Sequence, residues 1–191
     1  DAVYPIHDGI GIFLTPDLPR KDLWAESESH ISAYLKSHPE AEKKLMDGPA
    51  EDLSPTDQQF RALVLDDRGE YDEAKRVEAL AHKNLYTQDY NRCWESQVDY
   101  LLKNLEPFES PIVDLASGRC YLVEKIVVEM EKPVIGTDFS PSVLRRDRKY
   151  FEHLELDHLV SFLACDARKT PFKDDSIMIM TTNLGLPNIE K

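Results

Sequence analysis

Short apolar runs alternate with helix-like segments from residue 111 onward. The runs at 112–115, 134–138, 159–165 and 176–182 have the length and the β-branched content of buried strands. An amphipathic segment at 121–131 separates the first two, and Ser140-Pro141 opens a second helix that is predicted to end near Phe151 or His153. This alternation predicts βαβ units, and therefore an α/β domain with a mainly parallel sheet.

Two further segments are predicted before residue 106. Residues 1–19 hold β-prone runs on both sides of Asp8-Gly9, a pair typical of hairpin turns. Because an isolated hairpin is only marginally stable, we expect it to pack against the main domain or to have lost partner strands of its own. Residues 20–105 carry helical patterns, including a helix that begins at Ser54-Pro55 and a long stretch over 70–105 with a break near 86–89. This helical region could form a lid over a substrate.

Three acidic residues each follow an apolar strand of the predicted sheet: Asp114, Asp138 and Asp166. The carboxyl ends of parallel strands meet at one edge, so their carboxylates can converge on one crevice. Asp138 lies 20 residues after Gly118, where a carboxylate can accept both hydroxyls of a ribose. Asp166 could accept a hydrogen bond from an adenine amine. The alternatives are that Asp138 caps the turn before the next helix and that Asp166 is a solvated loop residue.

The turn after the first strand is built from small residues, Ala116-Ser117-Gly118. Glycine exposes its backbone N–H and adopts positive φ without strain, which lets a ligand approach the backbone closely. The start of the following helix favours anionic groups such as a carboxylate. An ordinary strand-to-helix turn is the alternative. The acid Asp138 at the end of the second strand is the observation that favours a site for an adenosine-type cofactor.

Residues 112–183 resemble the class I S-adenosylmethionine-dependent methyltransferases. The first motif of that family is an acid, three residues, glycine, one residue and glycine, and Asp114, Gly118 and Cys120 stand at those positions. The resemblance implies a Rossmann-like three-layer sandwich, of which 106–191 would be the amino-terminal half. It also implies a cofactor site, with the 114–120 loop on the methionine part and Asp138 on the ribose. Adenine would be framed by Asp166 and Ala167, with Phe139 packing nearby.

The sequence identifies catalytic residues less clearly than it identifies the cofactor site. The family often places substrate-contacting residues after the fourth strand, where this chain has Thr182-Asn183. Asn183 is the candidate substrate contact, because its amide can hold a polar nucleophile. A turn residue after a strand is the alternative, and no general base is assigned.

The chain departs from the family pattern at two points. Cys120 stands where the family has a glycine, so its side chain is expected to crowd the cofactor, and Cys120→Gly is expected to tighten S-adenosylhomocysteine binding. The family's sheet has seven strands, of which four are predicted here. The last predicted strand would therefore have an open apolar edge. We expect that the chain is a fragment, or that an N-terminal helix or a partner covers this edge, for example in a homo-oligomer.

The amino terminus shows a second resemblance. The run from Tyr4 to Ile10 is similar to the final hairpin of zinc-ribbon-like segments that precede some bacterial methyltransferases, including certain ribosomal RNA enzymes. The cysteines of such a ribbon would lie upstream of Asp1, and no zinc is assigned to this chain.

Composition narrows the partners and the compartment. The net charge of -13 favours a small-molecule or basic protein acceptor over nucleic acid, although the amino-terminal resemblance keeps RNA as an alternative. The three cysteines are scattered, which predicts neither a disulfide framework nor a metal site and favours the cytoplasm. No apolar run is long enough to cross a membrane.

Two other functions share part of this pattern. A nicotinamide-dependent oxidoreductase would need Gly-x-Gly-x-x-Gly in the first turn, and only the first of these glycines, Gly118, is present. A catalytically inactive methyltransferase-like binding or assembly module is the non-enzymatic alternative.

Overall fold

The computed structural model describes residues 3–18, 21–109, 111–185, 187 and 189. Its helices are α1 (Leu23–Ser37), α2 (Pro39–Met46), α3 (Pro55–Asp67), α4 (Tyr71–Leu85), α5 (Gln88–Leu105), α6 (Tyr121–Met130) and α7 (Pro141–His153). Its strands are β1 (Ile6–His7), β2 (Ile10–Ile12), β3 (Ile112–Asp114), β4 (Val134–Asp138), β5 (Val160–Ala164) and β6 (Met180–Thr181). The chain forms two compact units: one contains the described residues up to Glu26 and from Leu102 onward, and the other spans Ser27–Leu101.

The first unit contains a sheet with the strand order β1-β2-β5-β4-β3-β6. All neighbouring pairs are parallel except β1 with β2. The chain moves from β3 to β4 and β5 on one side, and β6 then pairs with β3 on the other side. The order therefore reverses at β3, and in such sheets ligands bind at the carboxyl ends of the strands where this reversal occurs. The expected Rossmann-like α/β fold with a mainly parallel sheet is confirmed.

Apolar burial explains why these segments form a sheet. All three residues of β3 are buried, as expected for a central parallel strand covered on both faces. On α6 the buried residues are Leu122, Val123, Ile126 and Val127, and on α7 they include Val143, Leu144 and Phe151. Ser140 caps α7, because its hydroxyl accepts the Val143 N–H at 3.5 Å, and Pro141 fills the first turn. The predicted bounds of β4 and α7 agree with the structure.

The amino-terminal hairpin extends the sheet. Asp8 and Gly9 both have positive φ, 51° and 74°, which is the conformation of the two-residue turns that suit hairpins. β2 pairs in parallel with β5, and Ile10 is fully buried. Arg148 on α7 donates a hydrogen bond to the Asp8 carbonyl. The expectation that the hairpin packs against the main domain is therefore confirmed for its described residues.

The second unit is helical. Its core joins α3 and α4 through five buried apolar residues, namely Ala50, Ala62, Leu65, Ala74 and Val77. Ser54 caps α3 as predicted, accepting the Asp57 N–H at 3.2 Å. The predicted break in the long helical stretch lies between the end of α4 and the start of α5. Within the described residues, no helix is long and apolar enough to pass through a membrane.

The last predicted strand is shorter than expected. We predicted a strand over 176–182, but only Met180–Thr181 pairs with β3. A turn precedes it, in which the Ser176 N–H bonds to the Lys173 carbonyl at 3.2 Å and Asp175 adopts a positive φ of 57°. The apolar run alone did not reveal this turn.

Candidate functional site

Asp114 ends β3 and is buried, with 1% of its surface exposed. Its Oδ1 accepts a hydrogen bond from the Thr181 hydroxyl at 2.7 Å, while the buried Oδ2 has no hydrogen-bond partner among the described residues. Burial raises the pKa of Asp114 from 3.8 to about 6, and the hydrogen bond from Thr181 only partly opposes this effect. The carboxyl group therefore changes its charge near neutral pH.

The loop after Asp114 is pinned to the neighbouring strand. Ser117 donates its backbone N–H to the Thr137 carbonyl at 2.8 Å, and its hydroxyl accepts the Thr137 N–H at 3.1 Å. That hydroxyl also donates to the Asp114 carbonyl at 2.9 Å. Ala116, Gly118 and Cys120 each have a φ of +53°, so the backbone repeatedly enters the left-handed region. The loop is therefore held against β4 by the two hydrogen bonds between Ser117 and Thr137.

Asp138 joins this loop to the end of β4. Its Oδ2 accepts the Gly118 N–H at 3.0 Å, and its Oδ1 accepts the Ser140 N–H at 2.9 Å. Burial raises the pKa of Asp138, and the two backbone donors partly oppose the rise. The Ser140 N–H bond shows that Asp138 caps the turn before α7, and its role toward a ribose stays a prediction. Each carboxylate oxygen keeps acceptor capacity for a further hydrogen bond.

Asp166 follows β5 and lies near the same edge. The Cys165 N–H donates to the Asp138 carbonyl at 2.9 Å, which fixes the end of β5 beside the end of β4. Arg168 holds the Asp166 carboxylate, with Nε donating to Oδ1 at 2.9 Å and Nη2 donating to Oδ2 at 2.6 Å. The Asp166 carboxylate is therefore paired with Arg168 and is not a solvated loop residue. A role toward adenine stays a prediction.

The remaining predicted residues flank these acids. Phe139 and Ala167 are partly exposed directly after Asp138 and Asp166. Asn183 is partly buried in the bend after β6. The Thr181 hydroxyl bonds β6 to Asp114, but no contact with another described residue defines the role of Asn183. Among the described residues, no group of histidine, cysteine or acidic side chains is placed to hold a metal ion.

Comparison with known proteins shows which family the segment that contains these residues resembles. Residues 112–191 match the family model described as a methyltransferase domain. That segment is therefore similar to a methyltransferase domain. It contains Asp114, Asp138, Asp166 and the 114–120 loop. The resemblance of residues 112–183 to class I methyltransferases is thereby confirmed, while the resemblance of the hairpin to a zinc ribbon stays a prediction.

Solved structures with similar folds also include methyltransferases. A geranyl diphosphate C-methyltransferase from Streptomyces coelicolor A3(2), solved with S-adenosyl-L-homocysteine, is 21% identical, with a TM-score of 0.42, and covers 49% of this chain and 36% of its own. The YcgJ protein from Bacillus subtilis is 17% identical, with a TM-score of 0.46, and covers 51% and 41%. This chain therefore spans about two fifths of their length. No curated protein matches the chain.

Cys120, in the same segment, does not have the environment that we expected. Its side chain is 1% exposed, and its Sγ lies 3.6 Å from the position that a Cβ would take on Gly136. Burial raises the thiol pKa well above its ordinary value, and the charge of Asp147 and a hydrogen bond to it raise it further. The expectation that this side chain crowds a ligand at the loop is not supported, because the thiol is enclosed within the fold. The positive φ explains why glycine suits this position.

We therefore expect Cys120→Gly to leave S-adenosylhomocysteine affinity within about threefold of the unchanged protein. Removing left-handed strain stabilises the chain by roughly 1–2 kcal/mol, and losing buried side-chain atoms costs a similar amount. Calorimetry and urea unfolding would measure the two effects. A tenfold gain in affinity would restore the crowding hypothesis.

Gly185 packs directly on the loop at residues 114–120. A Cβ at this position would lie 2.7 Å from the Ala116 Cβ and 3.0 Å from the Ala116 carbonyl oxygen. It would also lie 2.6 Å from Thr182 Oγ1. The backbone after β6 can approach the loop only because residue 185 has no side chain.

We expect Gly185→Ala to lower the free energy of unfolding by about 1–3 kcal/mol through this overlap. Ala116→Gly should recover part of that loss in the double variant, because it removes one of the overlapping atoms and relieves the positive φ at 116. Urea unfolding of the two single variants and the double variant measures the coupling. Strictly additive effects would show that Ala116 is not the obstacle.

Sequence reasoning missed one residue beside this loop. Cζ2 of Trp24 lies 3.6 Å from the position that a Cβ would take on Gly118, which is an ordinary van der Waals separation. Trp24 belongs to a polar stretch with a weak helical pattern. The sequence carried no signal that links residue 24 to residue 118.

Proposed function

We propose that this chain belongs to an S-adenosylmethionine-dependent methyltransferase and binds that cofactor at the carboxyl ends of β3, β4 and β5. The observation that carries the proposal is the 3.0 Å hydrogen bond from the Gly118 N–H to Asp138 Oδ2. This bond joins the small-residue loop to Asp138, and it supports the proposal because both belong to a segment that matches a methyltransferase family.

The residues present fit this cofactor. Asp138 has both oxygens held by backbone donors and retains acceptor capacity for two ribose hydroxyls. Gly118 and Ser117 offer a small surface for the methionine part, and Phe139 can pack beside the adenosine. Asp166, fixed by Arg168, and Ala167 are proposed to frame the adenine. S-adenosylmethionine would supply a methyl group on a positively charged sulfur.

The protein's own contribution to the reaction is positioning. Methyl transfer requires the acceptor atom in line with the methyl carbon, and holding the two reactants in that geometry lowers the entropic part of the barrier. We propose that Asp138 sets the orientation of the cofactor. Asn183, after β6, is proposed to hold the acceptor through its amide.

The acceptor and partners are proposed from charge and from the open edge of the sheet. A net charge of -13 favours a small molecule or a basic protein over nucleic acid. Met178 and Met180 near β6 are 76% and 47% exposed, so a second copy covering this edge is a reasonable partner. All three cysteines are free, which supports the proposal of a reducing, cytoplasmic compartment.

Calorimetric titration with S-adenosylmethionine, S-adenosylhomocysteine and NAD tests the proposal. We expect saturable heat from the first two and none from NAD. Heat from NAD alone would support the oxidoreductase alternative, and no heat from any of the three would overturn both enzyme functions for this chain.

A further inference from the structure

Residues 21–26, which we name the cover segment, lie against the proposed cofactor loop within the same compact unit. Trp24 contributes the contact with Gly118 described above, and it is partly buried. Gly118 is the residue whose N–H bonds to Asp138. Trp24 therefore lies beside the hydrogen bond that defines the proposed site.

Asp22 places a second acidic group near Asp138. Its Oδ1 accepts the Ala25 N–H at 3.0 Å, which caps the start of α1. Asp22 lies two residues before Trp24, in the segment that reaches Gly118, and repulsion from its negative charge contributes to the raised pKa of Asp138. The neighbouring Lys21 pairs with Glu26 at 3.2 Å. A cationic ligand at this edge would relieve the repulsion.

We propose that Asp22 and Trp24 complete the cofactor site, with Trp24 in contact with the bound cofactor and Asp22 favouring the cationic cofactor over its uncharged-sulfur product. This inference rests on the proposed function. Before transfer the cofactor carries a sulfonium, and after transfer S-adenosylhomocysteine carries a neutral thioether. A carboxylate attracts the cation through space, and an aromatic face attracts it through its quadrupole. The cover segment thereby helps the product to leave.

Fluorescence of Trp24 tests the contact. The chain has two tryptophans, so Trp94→Phe leaves Trp24 as the only one. We expect a saturable change in its emission on titration with S-adenosylhomocysteine, at the concentrations where calorimetry detects heat. Trp24→Leu should weaken binding about fivefold to tenfold. Unchanged emission together with unchanged affinity, while heat is still observed, would overturn the contact.

Asp22→Asn tests the charge. Asparagine still caps a helix, so α1 keeps its first turn while one negative charge is removed. We expect S-adenosylmethionine affinity to fall about fivefold and S-adenosylhomocysteine affinity to stay within twofold. Glu26→Gln, which removes a charge from the same segment, is the matched control and should change neither. An equal effect of Asp22→Asn on both ligands would overturn the charge preference. No heat from either ligand with the unchanged protein would overturn the proposed function together with this inference.

Discussion

Replacing Asp138 with alanine is expected to weaken S-adenosylhomocysteine binding at least roughly a hundredfold. Two charge-assisted hydrogen bonds to ribose hydroxyls are each worth about 1.5–3 kcal/mol, and every 1.4 kcal/mol is tenfold in affinity. Alanine also removes the acceptor for the Gly118 N–H, so the loop loses its connection to β4. Calorimetry measures the loss directly.

Two variants separate these contributions. Asp138→Asn keeps one oxygen that can accept the Gly118 or the Ser140 N–H, but it removes the charge and one acceptor, and we expect roughly a tenfold loss. Asp157→Asn removes the same charge from an exposed position in the same unit and should leave affinity unchanged. Near-normal binding by a folded Asp138→Ala protein would contradict the assignment of Asp138 to the cofactor.

The second large effect is a pH-dependent contribution of Asp114 to stability. Its pKa in the folded protein is about 6, above the ordinary value of 3.8. Between these two values the folded state keeps the proton that the unfolded state has lost, so stability falls as pH rises through this range. Each pH unit between the two pKa values lowers the free energy of unfolding by about 1.4 kcal/mol, so the total loss is at most about 3 kcal/mol.

Asp114→Asn isolates this contribution. The amide oxygen can still accept the Thr181 hydroxyl, and the residue no longer ionises. We expect the free energy of unfolding of the variant, relative to that of the unchanged protein, to increase by about 2–3 kcal/mol from pH 4 to pH 7. Urea unfolding at several pH values measures the difference in the free energy of unfolding between the two proteins. Titrations that both proteins share, such as that of Asp138, cancel in this difference. A difference that does not vary with pH would show that Asp114 is not protonated in the folded state at pH 5.

The sequence predicted the elements of the sheet well, because burial of regular strands and helices leaves a local period in the chain. β4 and α7 have their predicted bounds, since Val134-Ile135 begins a strand that ends at the acid Asp138, and Ser140-Pro141 is a strong helix start. β6 was overestimated, because an apolar run does not reveal where pairing with β3 begins.

Cys120 illustrates where a linear motif is insufficient. The motif correctly indicated a position that suits glycine, and its φ of +53° is the physical reason. The direction of the thiol depends on the space beside Gly136 and on Asp147 of α7. That space exists only once β4 and α7 are packed, so the loop sequence could not show that the side chain is enclosed.

By itself, the sequence determined that three acids end three parallel strands beside a small-residue loop, because strand patterns and connection lengths are local properties. Only the tertiary structure decided which groups these residues contact. In the fold, the Gly118 N–H donates to Asp138, Arg168 pairs with Asp166, and Trp24 lies beside Gly118. Contacts between residues as distant as 24 and 118 depend on how whole elements pack, and no local pattern along the chain encodes that packing.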